Sequence, residues 1–290
     1  MLAGGGEPTQ IQARRAYRSI WVWLWMVGLD GDAQSHIRMR RHALARGAAT
    51  PVKIRAHDQS PRPMPSYLAL ETSTEHLSLA LHTPEGLFLH AEHVGQKHAE
   101  LTLPALEQLL VQAGVTRAEL AGVAFAMGPG SFTGLRIGCG IAQGLAFGLD
   151  IPVVGVSTLE ALAQQCPSDL AYICIDARMN QVYTAAYQRE GEQWREIFAA
   201  DVLNPDAIPV PEQSGWMGLG SGFAAYADTL RQRLGAQLTD TMSDAYPHAR
   251  NILALALPRF EAGQGMPADQ ATLLYLRDKV ALKTHERVAK

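Results

Sequence analysis

The sequence runs to 290 residues, 47% of them hydrophobic, which is enough to bury a sizeable core in one large domain or two lobes. Its three cysteines, Cys139, Cys166 and Cys174, have neither the even count of a disulfide framework nor the paired spacing of a zinc site, and so point to a reducing, cytoplasmic compartment. The formal charge of −3 divides into +6 on residues 1–63 (10 Lys/Arg against 4 Asp/Glu) and −9 on residues 64–290 (15 against 24), and so acidic a main part excludes a broad grip on a nucleic-acid backbone.

Residues 1–63 carry Gly4-Gly5-Gly6, scattered arginines and the apolar run Ile20 to Leu29 with Trp21, Trp23 and Trp25. The run is about ten residues, half of what a bilayer-spanning helix needs. Arg14, Arg15 and Arg18 resemble the front of a secretory signal, but Gly31-Asp32-Ala33 is a poor cleavage site. Met64 directly precedes a good first strand. The segment is therefore read as an N-terminal extension, disordered or produced by a mis-assigned start, with residues 64–168 and 169–290 as two further units.

Tyr67 to Thr74 reads as a strand ending in a polar turn. His76 to His82 alternates apolar and polar residues, Gly86 to His93 does so more loosely after the Pro84-Glu85-Gly86 turn, and three consecutive antiparallel strands result. Glu71, with the hydroxyls of Thr72, Ser73 and Thr74, suits a phosphate or a metal-bound water, or simply closes a strand-end turn. His98 opens a helix whose Leu101, Leu103, Leu106, Leu109 and Leu110 form an apolar stripe. A second histidine four residues on would share its face and invite a metal, but that position is Thr102.

The strongest signal is Met127 to Gly138, MGPGSFTGLRIG, between the buried strand Gly122 to Ala126 and a helix rich in small residues. Its glycines permit a sharp bend, and Ser131 or Thr133 can cap the helix. Strand, Gly-rich turn and helix N-terminus together form a candidate anion or nucleotide site comprising Gly128, Gly130, Ser131 and Thr133, with Glu71 and Thr72. The spacing fits neither a P-loop nor a dinucleotide fingerprint. In the helix that follows, Gly134, Gly138, Ala142 and Ala146 step by four, as do Gly140, Gly144 and Gly148. Each helical glycine costs about 1 kcal/mol against alanine, so close approach by another element, from this chain or another, should offset them.

Ile151 to Ser157 is the next strand, with a helix capped by Ser157 or Thr158, and the order implies parallel crossovers. A second cycle begins with the strand Ala171 to Asp176 and a hairpin partner from Gln181 to Tyr187. The acid-ended strands at Glu71 and Asp176 hint at a duplicated lobe. Between Trp194 and Gln213, Asn204-Pro205, Pro209 and Pro211 break any long element. Trp216 to Phe223 is a strand and Gly/Ser turn, a second anion candidate, followed by a helix through Tyr226, Leu230 and Leu234. Asn251 to Phe260 is helical and suited to packing back on the first lobe, and Leu273 to Ala281 is a short terminal segment.

Several of these motifs, in order, resemble the TsaB (YeaZ) family of bacterial proteins required for threonylcarbamoyladenosine in tRNA: Leu70 to Thr74, Lys97 to Glu100, Gly128 to Gly138, Ile141 to Ala146, Pro152 to Thr158, Asp176-Ala177-Arg178 and Tyr275-Leu276-Arg277-Asp278. The resemblance covers Met64 to Lys290. It implies an α/β, actin-like ATPase and sugar-kinase-like (ASKHA) fold of two related lobes, and a non-catalytic paralogue of the catalytic subunit TsaD, whose matching helix carries two metal-binding histidines. With Thr102 in place of the second, no metal site and no catalysis by this chain are expected. The resemblance further implies a scaffold that pairs with TsaD through first-lobe helices, joined by the ATPase TsaE, with tRNA reached only through the complex, ATP or ADP bound at most in the assembly, and a homodimer as an option for the chain alone. It places His98, Leu101, Leu106, Leu109, Gly134, Gly138 and Ala142 at the partner interface, so that Leu106→Asp should abolish pairing and leave the monomer folded. Glu71 stands where the family usually has Asp. The rival reading is an actin-fold phosphotransferase acting alone through Glu71 and the Gly128 to Thr133 and Gly218 to Gly222 turns. Peptidase activity lacks a nucleophile with a base partner.

Overall fold

A computed structural model describes residues 65–277. The extension 1–63 with its tryptophan run, and Asp278 onward, lie outside the described residues. Two five-stranded mixed sheets carry the fold. In the first, β1 (Ser66–Glu71), β2 (His76–Thr83) and β3 (Gly86–His93) form an antiparallel meander, and β4 (Leu120–Gly128) and β5 (Val153–Ser157) add in parallel on the other side of β1, in the order β3-β2-β1-β4-β5. The second sheet repeats the plan: β6 (Leu170–Asp176) pairs antiparallel with β7 (Val182–Glu190), which pairs with β8 (Gln193–Leu203), and β9 (Trp216–Leu219) and β10 (Leu238–Met242) follow in parallel, giving β8-β7-β6-β9-β10. The same order with strand numbers shifted by five is the duplication that the acid-ended strands suggested.

Sidedness follows from the period of two along each strand. In the first sheet Leu68, Leu70, Leu77, Leu79, Leu81, Val123 and Phe125 face α1 (His98–Ala113) and α2 (Phe132–Leu149). The intervening Ala69, Ala80, Ala124 and Ala126 face α6 (Ala249–Glu261), which brings Ile252, Leu253 and Ala256 against them. Alanine on one face lets α6 lie close, and the bulky residues on the other fill the space beneath two helices. The other α-helices among the described residues are α3 (Thr158–Ala163), α4 (Gly222–Ala225) and α5 (Ala227–Leu234). Ser131 caps α2, its hydroxyl accepting from Gly134 N at 3.3 Å, and Ser157 caps α3, accepting from Glu160 N at 3.4 Å.

Two strands differ from the sequence reading. The eleven-residue β8 occupies a stretch read as broken, because its residues all precede Pro205 and the prolines constrain only the loop that follows. The short β10, of sequence LTDTM, has too few apolar residues to show a period. The helix read through Tyr226 is two helices, with Tyr226 at the break between α4 and α5.

Candidate functional site

Two features deserve functional weight: the cleft between the sheets, and the outer side of α1 and α2. The cleft encloses roughly 870 Å³. Its first-lobe wall includes Ser73, Thr74, Glu75, His76, Gly130 and Ser131. From the second lobe come Asp176, Arg178, Ser221 and Tyr246, and the terminal segment adds Leu274 to Arg277.

The candidate anion residues fall into three groups. Gly130 and Ser131 line the cleft, as does Ser73, whose hydroxyl was read beside Glu71. Glu71 and Thr72 lie beneath it, 0% and 1% exposed, and Thr133 is exposed outside it. Gly128, at φ 110°, is buried below Leu274, whose carbonyl oxygen a side chain there would meet at 2.9 Å. The loop after β1 is tied tightly to the start of α2: Ser131 N donates to Ser73 O at 2.7 Å, and Thr72 Oγ1 donates to Gly134 O at 2.8 Å. The Glu71 carboxylate accepts from Ser73 N and so closes a strand-end turn. Asp176 does the same for Arg178 N at 2.8 Å, so the two acid-ended strands share this device.

Glu71 Oε2 and Ser73 Oγ are buried without a partner among the described residues. Burial pushes the Glu71 carboxyl up to about 7, against the hydrogen bond from Ser73 N that lowers it. Because this folded value lies above the unfolded one, the native state holds the extra proton between about pH 4.5 and 7. The associated stability is present below that window and is lost as pH rises through it, by about 3 kcal/mol in all. Glu71→Gln should therefore melt higher than the parent at pH 8 and match it near pH 4.5, which thermal unfolding at the two pH values checks.

On the helices, the structure corrects the interface assignment. Leu106 and Leu109 are 0% and 1% exposed in the chain's own core, with Leu101 packed at its margin. His98 is also buried, its Nε2 3.3 Å from His76 O. Gly134 and Gly138 abut Thr72, where a side chain would collide with its carbonyl oxygen and its hydroxyl respectively, and Ala142 is fully buried. A stripe and a small-residue ridge read as facing a partner thus face the first sheet and the β1 loop. Leu106→Asp would bury an unpaired charge and unfold the lobe rather than spare it. The second ridge behaves differently: Gly140 and Gly148 have nothing among the described residues within 4 Å of where a side chain would begin. Beside them Phe147 is 77% exposed, and on α1 Leu103 and Val111 are 49% and 80% exposed. Sequence could not separate the two ridges, because both step by four and differ only by the rotation that packing selects.

Among the described residues no group of three or more His, Cys, Asp or Glu side chains is placed to hold a metal ion, and no helix is long and apolar enough to cross a membrane. The second anion candidate, Gly218 to Gly222, is filled by its own chain: Gly218 packs under the Phe223 ring, and Gly220 and Gly222 lie against the Cys174 carbonyl. The residues that the reading missed in the cleft are His76, Tyr246, Arg178 and Arg277. The last two stood in quoted motifs, but nothing in their spacing told that both converge on the β6–β7 turn.

A family model described as TsaD, tRNA N6-adenosine threonylcarbamoyltransferase, matches residues 73–281. The tRNA threonylcarbamoyladenosine biosynthesis protein TsaB of Escherichia coli is 37% identical over 224 residues, covering 74% of this chain and 96% of that protein. The TsaB protein of Haemophilus influenzae is 38% identical over 231 residues, covering 74% and 95%. Among solved structures, YeaZ from Pseudomonas aeruginosa superposes with a TM-score of 0.67 at 36% identity, covering 73% of this chain and all of that one.

Proposed function

This chain belongs to the TsaB (YeaZ) family of tRNA threonylcarbamoyladenosine biosynthesis proteins, and we propose that within that biosynthesis it is a non-catalytic scaffold, pairing with a TsaD-type catalytic subunit and joined by a TsaE-type ATPase. The observation that carries the proposal is on α1 and α2, where open glycine positions at Gly140 and Gly148 lie on the same helix as exposed Phe147, and α1 exposes Val111 and Leu103. Glycines that cost helix stability and contact nothing among the described residues suit a neighbour whose backbone comes close, and exposed large apolar side chains supply buried area on pairing. The same face serves a second copy of the chain when the partner is absent. RNA is reached through the complex, since the main part of the chain is acidic. A cytoplasmic setting suits its three free, buried thiols.

A second reading has one observation behind it. The cleft, with the unpartnered Ser73 hydroxyl beside it, has the size of a nucleotide site, so ATP or ADP could be held there in the assembly, or turned over by the chain alone as in a phosphotransferase. That second activity requires nucleotide turnover by the isolated chain and its marked loss in Glu71→Ala.

The experiment is depletion of the protein followed by mass spectrometry of tRNA nucleosides, with rescue by the full chain and by a chain beginning at Met64. Threonylcarbamoyladenosine should fall on depletion and return with both. A normal level without the protein would overturn the proposal, and return with the full chain alone would assign residues 1–63 a role.

A further inference from the structure

The chain reaches across the cleft once more than its two covalent links require. It passes to the second lobe through α3 and returns through residues 243–248 into α6, whose Ala249 N donates to Ser78 Oγ on β2 at 3.1 Å. After α6 it stays with the first lobe. Ala268 and Ala271 are buried against that core, and Gln143 Nε2 of α2 donates to Ala271 O at 3.3 Å. Residues 273–277 then run past the end of β4 and meet the second lobe again.

The two ends of this segment are held unequally. On the first lobe Leu273 packs against both core clusters, Leu274 N donates to Met127 O at 2.8 Å, and Tyr275 OH accepts from Arg136 Nε at 3.2 Å. On the second lobe the contacts come from one side chain. Arg277 Nη2 donates to Ala177 O at 3.1 Å and to Gln181 Oε1 at 2.7 Å, and Nη1 lies 3.5 Å from Met179 Sδ. Ala177 and Gln181 flank the β6–β7 turn, in which Arg178, Met179 and Asn180 have φ of 60°, 55° and 59°. Three successive left-handed residues without a glycine persist only where their surroundings fix them, and Arg277 fixes the turn from outside. Its acceptors are neutral, and its Nε is buried without a partner among the described residues, so the grip is incompletely satisfied.

We propose that residues 273–277 are a strap, anchored on the first lobe, whose Arg277 clasp on the β6–β7 turn holds the lobes together and whose release lets the cleft open. The topology gives the strap leverage. The return crossing meets the sheets at β10 and β2, and the strap meets them at β6 and β4. In each sheet those two strands are two places apart, roughly 10 Å. A tie set that far from the return crossing limits any swing of the lobes about it. Glu75 and Arg178 also span the cleft at 3.5 Å, but their side chains are 64% and 76% exposed, and a pair so open to solvent adds little. The anchored end stays in place when the clasp lets go, because Leu273 and the Leu274 N–H are held by the first lobe alone. Entry to the cleft is thus governed by a single guanidinium.

The test uses the full chain spin-labelled at Gln96→Cys in the first lobe and Asp201→Cys near the end of β8 in the second, both exposed positions off the strap, because Cys139, Cys166 and Cys174 are buried. Electron–electron distance measurements on the parent should give one narrow distribution. Arg277→Ala should broaden it about twofold toward longer distances while the chain still melts cooperatively. Gln181→Ala, which removes one acceptor and leaves Arg277 in place, should shift it in the same direction by less. The double variant should match Arg277→Ala, since both side chains act through one clasp. A distribution in Arg277→Ala unchanged from the parent, or a double variant that opens further than Arg277→Ala, would overturn the strap.

Discussion

Phe147→Asp should leave the isolated chain folded, with a melting temperature within about 2 °C of the parent, while co-purification with a TsaD-type subunit is lost. Phe147 is 77% exposed and touches little of its own chain, so its replacement changes stability only slightly. In a paired state it would lie beside the open Gly140 and Gly148 positions, where a buried carboxylate with no partner costs about 2 kcal/mol or more, roughly a thirtyfold loss of affinity. Calorimetry of the variant and pull-down of the partner check the two halves. Retained pairing would remove α2 from the interface.

Gly134→Val should have the opposite profile, a chain too unstable to accumulate. A side chain at Gly134 collides with the Thr72 carbonyl, a backbone atom tied into the β1 loop and unable to swing away, and valine adds branching inside a helix. The cost is about 3 kcal/mol, a fall in melting temperature of roughly 6–12 °C for a domain of this size. Gly140→Ala is the matched control on the open ridge. Nothing lies within 4 Å there, and replacing a helical glycine should raise the melting temperature of the isolated chain by a few degrees. Thermal melts of the two variants separate the ridges directly.

These residues also show where sequence was legible and where it was not. The strand alternation of β1 and β2, the capped turn before α2 and the acid-ended strands at Glu71 and Asp176 are local patterns, and each appears in the fold as read. The second of those acids hinted at a duplicated lobe, and the repeated strand order shows it. Which face of α1 and α2 turns inward was not legible, since a leucine stripe serves a sheet of the same chain as well as it serves a partner. Only the packing of Leu106 under the first sheet and of Gly134 against Thr72 decides it. The cleft was half legible. Ser131 stood in a Gly-rich turn, but Ser73 and Tyr246 reach the same space from distant parts of the chain, and His76 looked like one polar member of an alternating strand. Glu71 was read as facing either a ligand or its own turn, and its carboxylate closes the turn.

The scaffold reading rests on the outer helix face and gives the Glu71 carboxylate, buried beneath the cleft, no part in catalysis. Cells depleted of the protein and supplied with either Phe147→Asp or Glu71→Gln, at matched protein levels, put the two sites in direct competition, with threonylcarbamoyladenosine in bulk tRNA as the readout by mass spectrometry. The expected result is a normal level with Glu71→Gln and a depleted one with Phe147→Asp. A normal level with Phe147→Asp together with a depleted one with Glu71→Gln would contradict the scaffold reading and return function to the cleft.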